Sequence, residues 1–233
     1  MKLSTNEQML LLVAKGLPQE LRNQVVFLGG SIVSLLTTEV AFAGIRPTKD
    51  VDIIIETSNR SSFHQFEESL RQAGCQQILD DDPPIICRWR INSVVVDVMP
   101  CDESILGFSN KWYKAAVKNY HLIKFEDVEI KVVTAPYFLA TKIEAFRGRG
   151  KNDFMASHDI EDIITVLDGR SEVVAEIKAT EASLHIYLAQ NFNAWLQNRD
   201  FINALPGLLA PDASSQARLP IIMSRLTEIS KML

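Results

Sequence analysis

Apolar positions change their period along this chain, and the change divides it into two textures. Residues 5–15 repeat at helical spacing, and Met9-Leu10-Leu11-Leu12-Val13-Ala14 reads as the buried face of an N-terminal helix. Strands are then predicted at 24–28 and 51–55, with helices at 31–43 and 60–74 between and after them. Segments Ile85–Ile91 and Ile91–Pro100 flank Asn92-Ser93 as a hairpin. A Lys-rich helix near 109–117 precedes strands at 120–124 and 128–133, which turn at Glu126-Asp127. After Thr134 helical periodicity takes over, from Pro136 onward and through 157–168, 171–197, 199–205 and 214–231, with Pro206, Pro211 and Pro220 as breaks. The layout is α+β: an N-terminal α/β lobe over 1–134 and a C-terminal helical lobe over 135–233.

Two motifs within the first lobe carry chemistry. Val25-Val26-Phe27-Leu28 runs into Gly29-Gly30-Ser31, and a later strand opens Lys49-Asp50-Val51-Asp52. Side chains alternate across a strand, so Asp50 and Asp52 share a face. Carboxylates on that spacing suit Mg²⁺, which takes a few carboxylates, waters and substrate phosphates, and a two-ion site can clamp an in-line displacement. The glycines let the backbone approach a triphosphate, and Ser31 would open the following helix where free N–H groups favour phosphate. Taken singly, Asp-x-Asp is common where strands meet water, and Gly-Gly-Ser is an ordinary turn with an N-cap. Together they end adjacent strands and reach one rim.

A third acid, Asp97, lies among valines in Val94-Val95-Val96-Asp97-Val98. Burying a lone carboxylate there is costly. Metal coordination would remove the cost; so would facing solvent, or pairing with Arg88 or Arg90 across the hairpin.

Gly29-Gly30-Ser31, Asp50-x-Asp52 and Asp97 together resemble the nucleotidyltransferase core of the DNA polymerase β-like superfamily. The stretch from Ala135 to Asp153, with Ser157-His158-Asp159-Ile160-Glu161-Asp162-Ile163, is similar to the AbiEii-type toxins of bacterial toxin–antitoxin and phage-defence systems. The resemblance spans residues 20 to 170 and implies a catalytic lobe built on a mixed sheet flanked by helices, with a helical lobe completing the NTP site in the cleft between them. It implies that Asp50, Asp52 and Asp97 hold Mg²⁺ as a two-metal site, with Mn²⁺ as an alternative ion. It further implies that Gly29, Gly30 and Ser31 contact the triphosphate, and that Lys142 with Asp159 or Asp162 is required. Relatives of this kind transfer nucleotides to the 3′ end of tRNA. Two departures stand out: a long interval between Ser31 and Asp50, and His158 where a Lys or Arg often precedes the Asp.

Residue chemistry supports part of this. Pro136 to Arg147 reads as a helix with Pro in its first turn, and the Lys142 ammonium is an effective point charge for phosphate. Arg147, Arg149 and Lys151 form a basic cluster interleaved by Gly148 and Gly150, which end the helix. The cluster serves either a helix C-terminus or a triphosphate or RNA. Ser157 followed by acids also resembles a capped first turn.

Composition adds bounds. The 233 residues are 47% hydrophobic and 23% charged, enough for a sizeable core in one large or two small domains. The net charge of −5 argues against bulk coating of nucleic acid but not against gripping one RNA end. Lys111, Lys114 and Lys118 beside Trp112 and Tyr113 read as a solvated helix face, with phosphate contact or base stacking as the alternative. Tyr187, Phe192 and Trp195 read as core or partner-facing, ahead of base stacking. Three cysteines, Cys75, Cys87 and Cys101, have neither metal spacing nor an even count, so a reducing cytoplasm is expected, without membrane attachment. The sequence therefore leads to a Mg²⁺-dependent nucleotidyltransferase toxin acting on NTP and tRNA, with a cognate antitoxin. A protein or aminoglycoside-like acceptor, or NTP binding without transfer, are the alternatives.

Overall fold

A computed structural model describes residues 3–39, 45–57, 59–79 and 85–233. The chain is α+β and divides into two compact units: Met1–Ser34 with Pro47–Thr134, and Leu35–Arg46 with Ala135–Leu233. The expected lobes met at Thr134 with everything earlier in the first; residues 35–46 instead belong with the helical unit.

In the first unit, helix α1 (Thr5–Gly16) starts at a capping box: the Glu7 N–H donates to Ser4 Oγ at 3.3 Å, and the Ser4 N–H to Glu7 Oε2 at 2.8 Å. It buries Leu10, Val13 and Ala14. After the short α2 (Gln19–Arg22), the all-apolar β1 (Val25–Leu28) is buried at every position, as a central strand must be. A 3-10 turn (Gly30–Ile32) and one-turn α3 (Val33–Leu36) follow. The unit continues with β2 (Asp50–Ile55), α4 (Arg60–Gln72), β3 (Gln76–Gln77), β4 (Arg88–Ile91) and β5 (Val94–Pro100). It closes with α5 (Glu103–Leu106), α6 (Tyr113–Ala116), β6 (Tyr120–Phe125) and β7 (Val128–Val133).

These strands form one mixed sheet in the order β3-β4-β5-β2-β1-β7-β6. β1 runs antiparallel to β2 and parallel to β7, while β2 runs parallel to β5. The hairpins β4–β5 and β6–β7 turn at Asn92 and Glu126, whose φ values of 53° and 50° fit left-handed turn positions. Along β5 the even-numbered positions Val94, Val96 and Val98 are buried, whereas Val95, Asp97 and Met99 are half-exposed. That alternation decides which face Asp97 serves.

The expected helix 31–43 is much shorter. Beyond Leu36 the chain bonds elsewhere: the Thr38 and Glu39 N–H groups both donate to the Gly169 carbonyl at 2.8 Å. Residues 40–43 of that expected helix lie outside the described residues. The Lys-rich helix near 109–117 is likewise one turn, α6, begun where the Asn110 side chain accepts the Trp112 N–H at 3.1 Å.

The second unit is helical: α7 (Ala135–Arg149), α8 (His158–Gly169), α9 (Val173–Lys178), α10 (Ala182–Leu196), α11 (Arg199–Ala204), α12 (Ala213–Gln216) and α13 (Leu219–Ser230). Helix 171–197 is in fact two, broken where Thr180 Oγ1 bonds back to the Ile177 carbonyl at 2.7 Å. Residues 214–231 also form two helices, and Pro220 sits in the first turn of α13, so it starts a helix. Trp195 anchors the aromatic core, with Phe192 and Phe201 centroids at 5.4 Å, Phe154 at 5.8 Å and Phe146 at 5.9 Å. Among the described residues no helix is long and apolar enough to cross a membrane.

Candidate active site

Sheet register in the first unit builds a row of polar groups across β2, β5 and β4, beside the end of β1. Leu28, which precedes Gly29, lies opposite Asp52; Asp52 lies opposite Asp97; Asp97 lies opposite Arg88. Strands stand ~4.8 Å apart, so residues facing each other across them are immediate neighbours on one face. Asp50 joins the same face two positions before Asp52, and both are half-buried.

The Gly-Gly-Ser turn fits tightly against this row. Gly29 has φ 78°, and a Cβ placed on it would lie 1.8 Å from Asp52 Oδ2. Only glycine allows both that backbone conformation and that approach. Ser31 is 1% exposed, and its hydroxyl has no hydrogen-bond partner among the described residues. A buried unpaired hydroxyl is costly. The turn therefore carries polar capacity that this fold leaves unmet. Because the following helix is so short, the phosphate-binding capacity expected of its N-terminus reduces to that of a tight turn.

Asp97 is not the unpaired carboxylate that its valine neighbours suggest. Arg88 donates from Nε to Oδ1 at 2.9 Å and from Nη2 to Oδ2 at 3.0 Å, a two-pronged, charge-assisted pair. Of the two arginines weighed for this role, Arg88 takes it because Arg90 faces Val95 in the register. Cys87, one residue earlier, is buried; burial and the Asp97 charge push its thiol up to about 12.

The residues present suit a divalent cation: hard oxygen donors, a cradle that a Cβ would fill, and an orphaned buried hydroxyl. Asp50, Asp52 and Asp97 are the oxygen donors of this face, and Arg88 donates to both oxygens of Asp97. Among the described residues no group of three or more acidic, His or Cys side chains is gathered to hold a metal ion. The three expected carboxylates share this face, with Asp97 in an ion pair with Arg88.

The second unit holds a separate charge cluster. Lys142, 7% exposed on α7, places Nζ 3.1 Å from Asp159 Oδ1 and 2.7 Å from Asp162 Oδ2 on α8. Arg149 donates to both Asp159 oxygens at 2.9 and 2.8 Å. Arg46 reaches Asp162 at 3.3 Å and Glu161 at 3.5 Å. Burial works to raise the Asp159 carboxyl, but Arg149 and Lys142 outweigh it and hold it below the usual carboxylate range. Lys142 is therefore matched by two carboxylates of its own unit.

Other expectations resolve simply. Helix α7 runs through Gly148 to Arg149 and does not stop at the first glycine. Arg147 pairs with Glu144 at 3.2 Å. Ser157 occupies the N-cap of α8 without a side-chain cap bond. His158 is exposed and lies 3.2 Å from Glu161. Lys114 pairs with Asp102 and Lys118 with Glu56, so acids temper the Lys111 stripe. Sequence reading missed Arg46, and also Asn6, which is 3% exposed and accepts the Thr48 N–H at 3.0 Å just before β2. Neither carries a local signal, since each partner lies far along the chain.

No family model matches the sequence, and no curated protein matches it. Among solved structures, an antigenic nucleotidyltransferase-like protein from Paracoccidioides brasiliensis is similar, at 18% identity and a TM-score of 0.54 over 97% of this chain and 94% of that one. A protein of H. pylori described as a candidate nucleotidyltransferase is similar over 98% and 96% of the two chains, at 12% identity and a TM-score of 0.45, too distant to support an inference. The first likeness is one of fold: this chain shares the overall fold of that protein.

Proposed function

We propose that the chain is a nucleotidyltransferase whose nucleotide site is the Gly29-Gly30-Ser31 turn with Asp50 and Asp52. One observation carries this reading: on a nucleotidyltransferase-like fold, the register packs Gly29 against the Asp52 carboxylate, so turn and acids form one surface. In the reaction an acceptor hydroxyl attacks the α-phosphate of an NTP, the bond to the β-phosphate breaks, and pyrophosphate leaves. Asp50 and Asp52 would hold Mg²⁺ or Mn²⁺, which supplies positive charge to the phosphates when bound. Gly29 and Gly30 admit the triphosphate to the backbone, and Ser31 offers its unpaired hydroxyl. Asp97, engaged by Arg88, fixes the charge of the row. Lys142, Asp159, Asp162 and Arg149 serve the same activity as the charge cluster of the second unit.

By the resemblance in its motifs, the acceptor is the 3′ end of tRNA, and the biological setting is an AbiEii-type toxin with a cognate antitoxin. The test incubates the full chain with NTPs radiolabelled at the α-phosphate, separately with total RNA, total protein and aminoglycosides. Label in RNA, lost in Asp50→Asn and Asp52→Asn, is expected. Label retained by both variants overturns the site; label only in protein or drug replaces the acceptor. A second reading, NTP binding without transfer, is favoured by the Arg88–Asp97 pair, and nucleotide binding with no pyrophosphate released on any acceptor would establish it.

A further inference from the structure

We propose that the helical unit carries a ligand site of its own, for a small organic anion with an apolar body, in the cavity lined by α9, α10 and the end of α13. The cavity has a volume of about 620 Å³, within the range of sites that enclose small molecules, and involves none of the residues assigned above to nucleotide or metal. Two features of one lining select the occupant: unpaired positive charge and hydrocarbon surface.

Charge comes first. Lys178 ends α9 and Lys231 follows α13, so each ammonium stands at a helix C-terminus, and both line the cavity. Among the described residues neither pairs with a carboxylate. A lysine at a helix C-terminus complements the helix dipole, which accounts for each charge taken alone. It does not account for the third polar group of the lining, His185 on α10, whose Nδ1 is buried with no hydrogen-bond partner among the described residues. A buried unpaired ring nitrogen is costly, and in the tautomer that carries its proton at Nδ1 it supplies a donor for an anionic oxygen.

The rest of the lining sets what the anion is attached to. Val174 and Met232 are half-buried and Leu233 is exposed, so hydrocarbon faces the same space as the two ammoniums. Val174 stands four residues before Lys178 on α9, a spacing that puts both on one helix face. Each methylene that a ligand buries there strengthens binding. Glu228 also lines the cavity, with its Oε1 accepting a hydrogen bond from Ser224 Oγ at 3.0 Å. That carboxylate repels a multiply charged anion more than a singly charged one. The chemistry therefore favours one carboxylate carried on a short hydrocarbon chain over a phosphate dianion.

The test titrates three probes into the full chain by calorimetry: octanoate, octanol as the same chain without charge, and inorganic phosphate as charge without a chain. The imidazole rings of the four histidines are followed by NMR in parallel. One octanoate per chain is expected, with a Kd on the order of 0.1–1 mM, shifting His185 but not His64, His121 or His158. The double change Lys178→Gln with Lys231→Gln weakens it about tenfold, as does Met232→Asp, and octanol and phosphate bind at least about tenfold more weakly than octanoate. Thermal melts confirm that the variants are folded; should Met232→Asp fail to fold, the exposed lysines and the histidine shifts decide. Phosphate binding as tightly as octanoate overturns the apolar body, and octanol binding as tightly overturns anion recognition. Octanoate binding that spares His185 or ignores the lysine change places the ligand elsewhere and overturns the site, as does no octanoate binding at about 10 mM. The nucleotide reading stands or falls separately, on label transfer.

Discussion

Gly29 shows how much one residue can settle. Any side chain there meets the Asp52 carboxylate and a left-handed backbone at once. Gly29→Ala is expected to cost about 2 kcal/mol in chemical denaturation and to abolish Mn²⁺ binding, because Asp52 must turn aside. Full ion affinity in that variant would contradict the packing. The glycine pair and the Asp-x-Asp acids were legible in the sequence because their meaning is local: a turn after a strand, and two like faces on another. Arg88 was legible only as one of two arginines, since register, and not composition, chooses between them. The thiols give a second check at this scale. Burial pushes Cys87 and Cys101 up to about 12, so native protein at neutral pH should resist alkylation at both, with full labelling after unfolding.

At the scale of elements, the contact between α7 and α8 centres on Lys142, Asp159 and Asp162, all nearly inaccessible. Removing one member of a buried charge group leaves the others uncompensated, so Lys142→Met should lower unfolding stability by about 3 kcal/mol. A urea melt checks this separately from any assay of transfer. The depressed Asp159 carboxyl adds a pH dependence. Its contribution to stability is fully present above the ordinary Asp range near pH 4 and falls away as acidity passes below that, through the folded value. Asp159→Asn should flatten this acid limb of the melting profile; an unchanged slope below pH 4 would place the effect elsewhere. Strands and long helices followed from periodicity, whereas helix breaks did not. Thr180 ends α9 by bonding backward, and Pro220 begins α13, and both choices depend on where neighbouring backbone groups find partners.

The molecule as a whole is organised less simply than a two-part reading of its texture suggests. The switch from mixed to helical texture after Thr134 marks one boundary, but the passage of residues 35–46 into the helical unit has no compositional mark. Its evidence is tertiary: Glu39 meets Arg218 at 3.0 Å and Arg225 at 3.3 Å, and Arg170 donates to the Leu36 carbonyl at 2.8 Å. Glu39→Gln should lower Tm by about 2 °C, whereas Arg218→Gln should cost clearly more, because Arg218 also donates to the buried Asp168 carboxylate at 2.6 Å. Equal losses in thermal melts of the two variants would show that the Asp168 contact adds nothing. The discontinuity also bears on biosynthesis. A ribosome delivers Leu36 and Glu39 long before Arg170, Arg218 and Arg225, so their partners emerge only with the last third of translation. Until then the Leu36 carbonyl and the Glu39 carboxylate wait for their partners, and slow codons or nascent-chain binders acting after residue 134 would weigh most on yield.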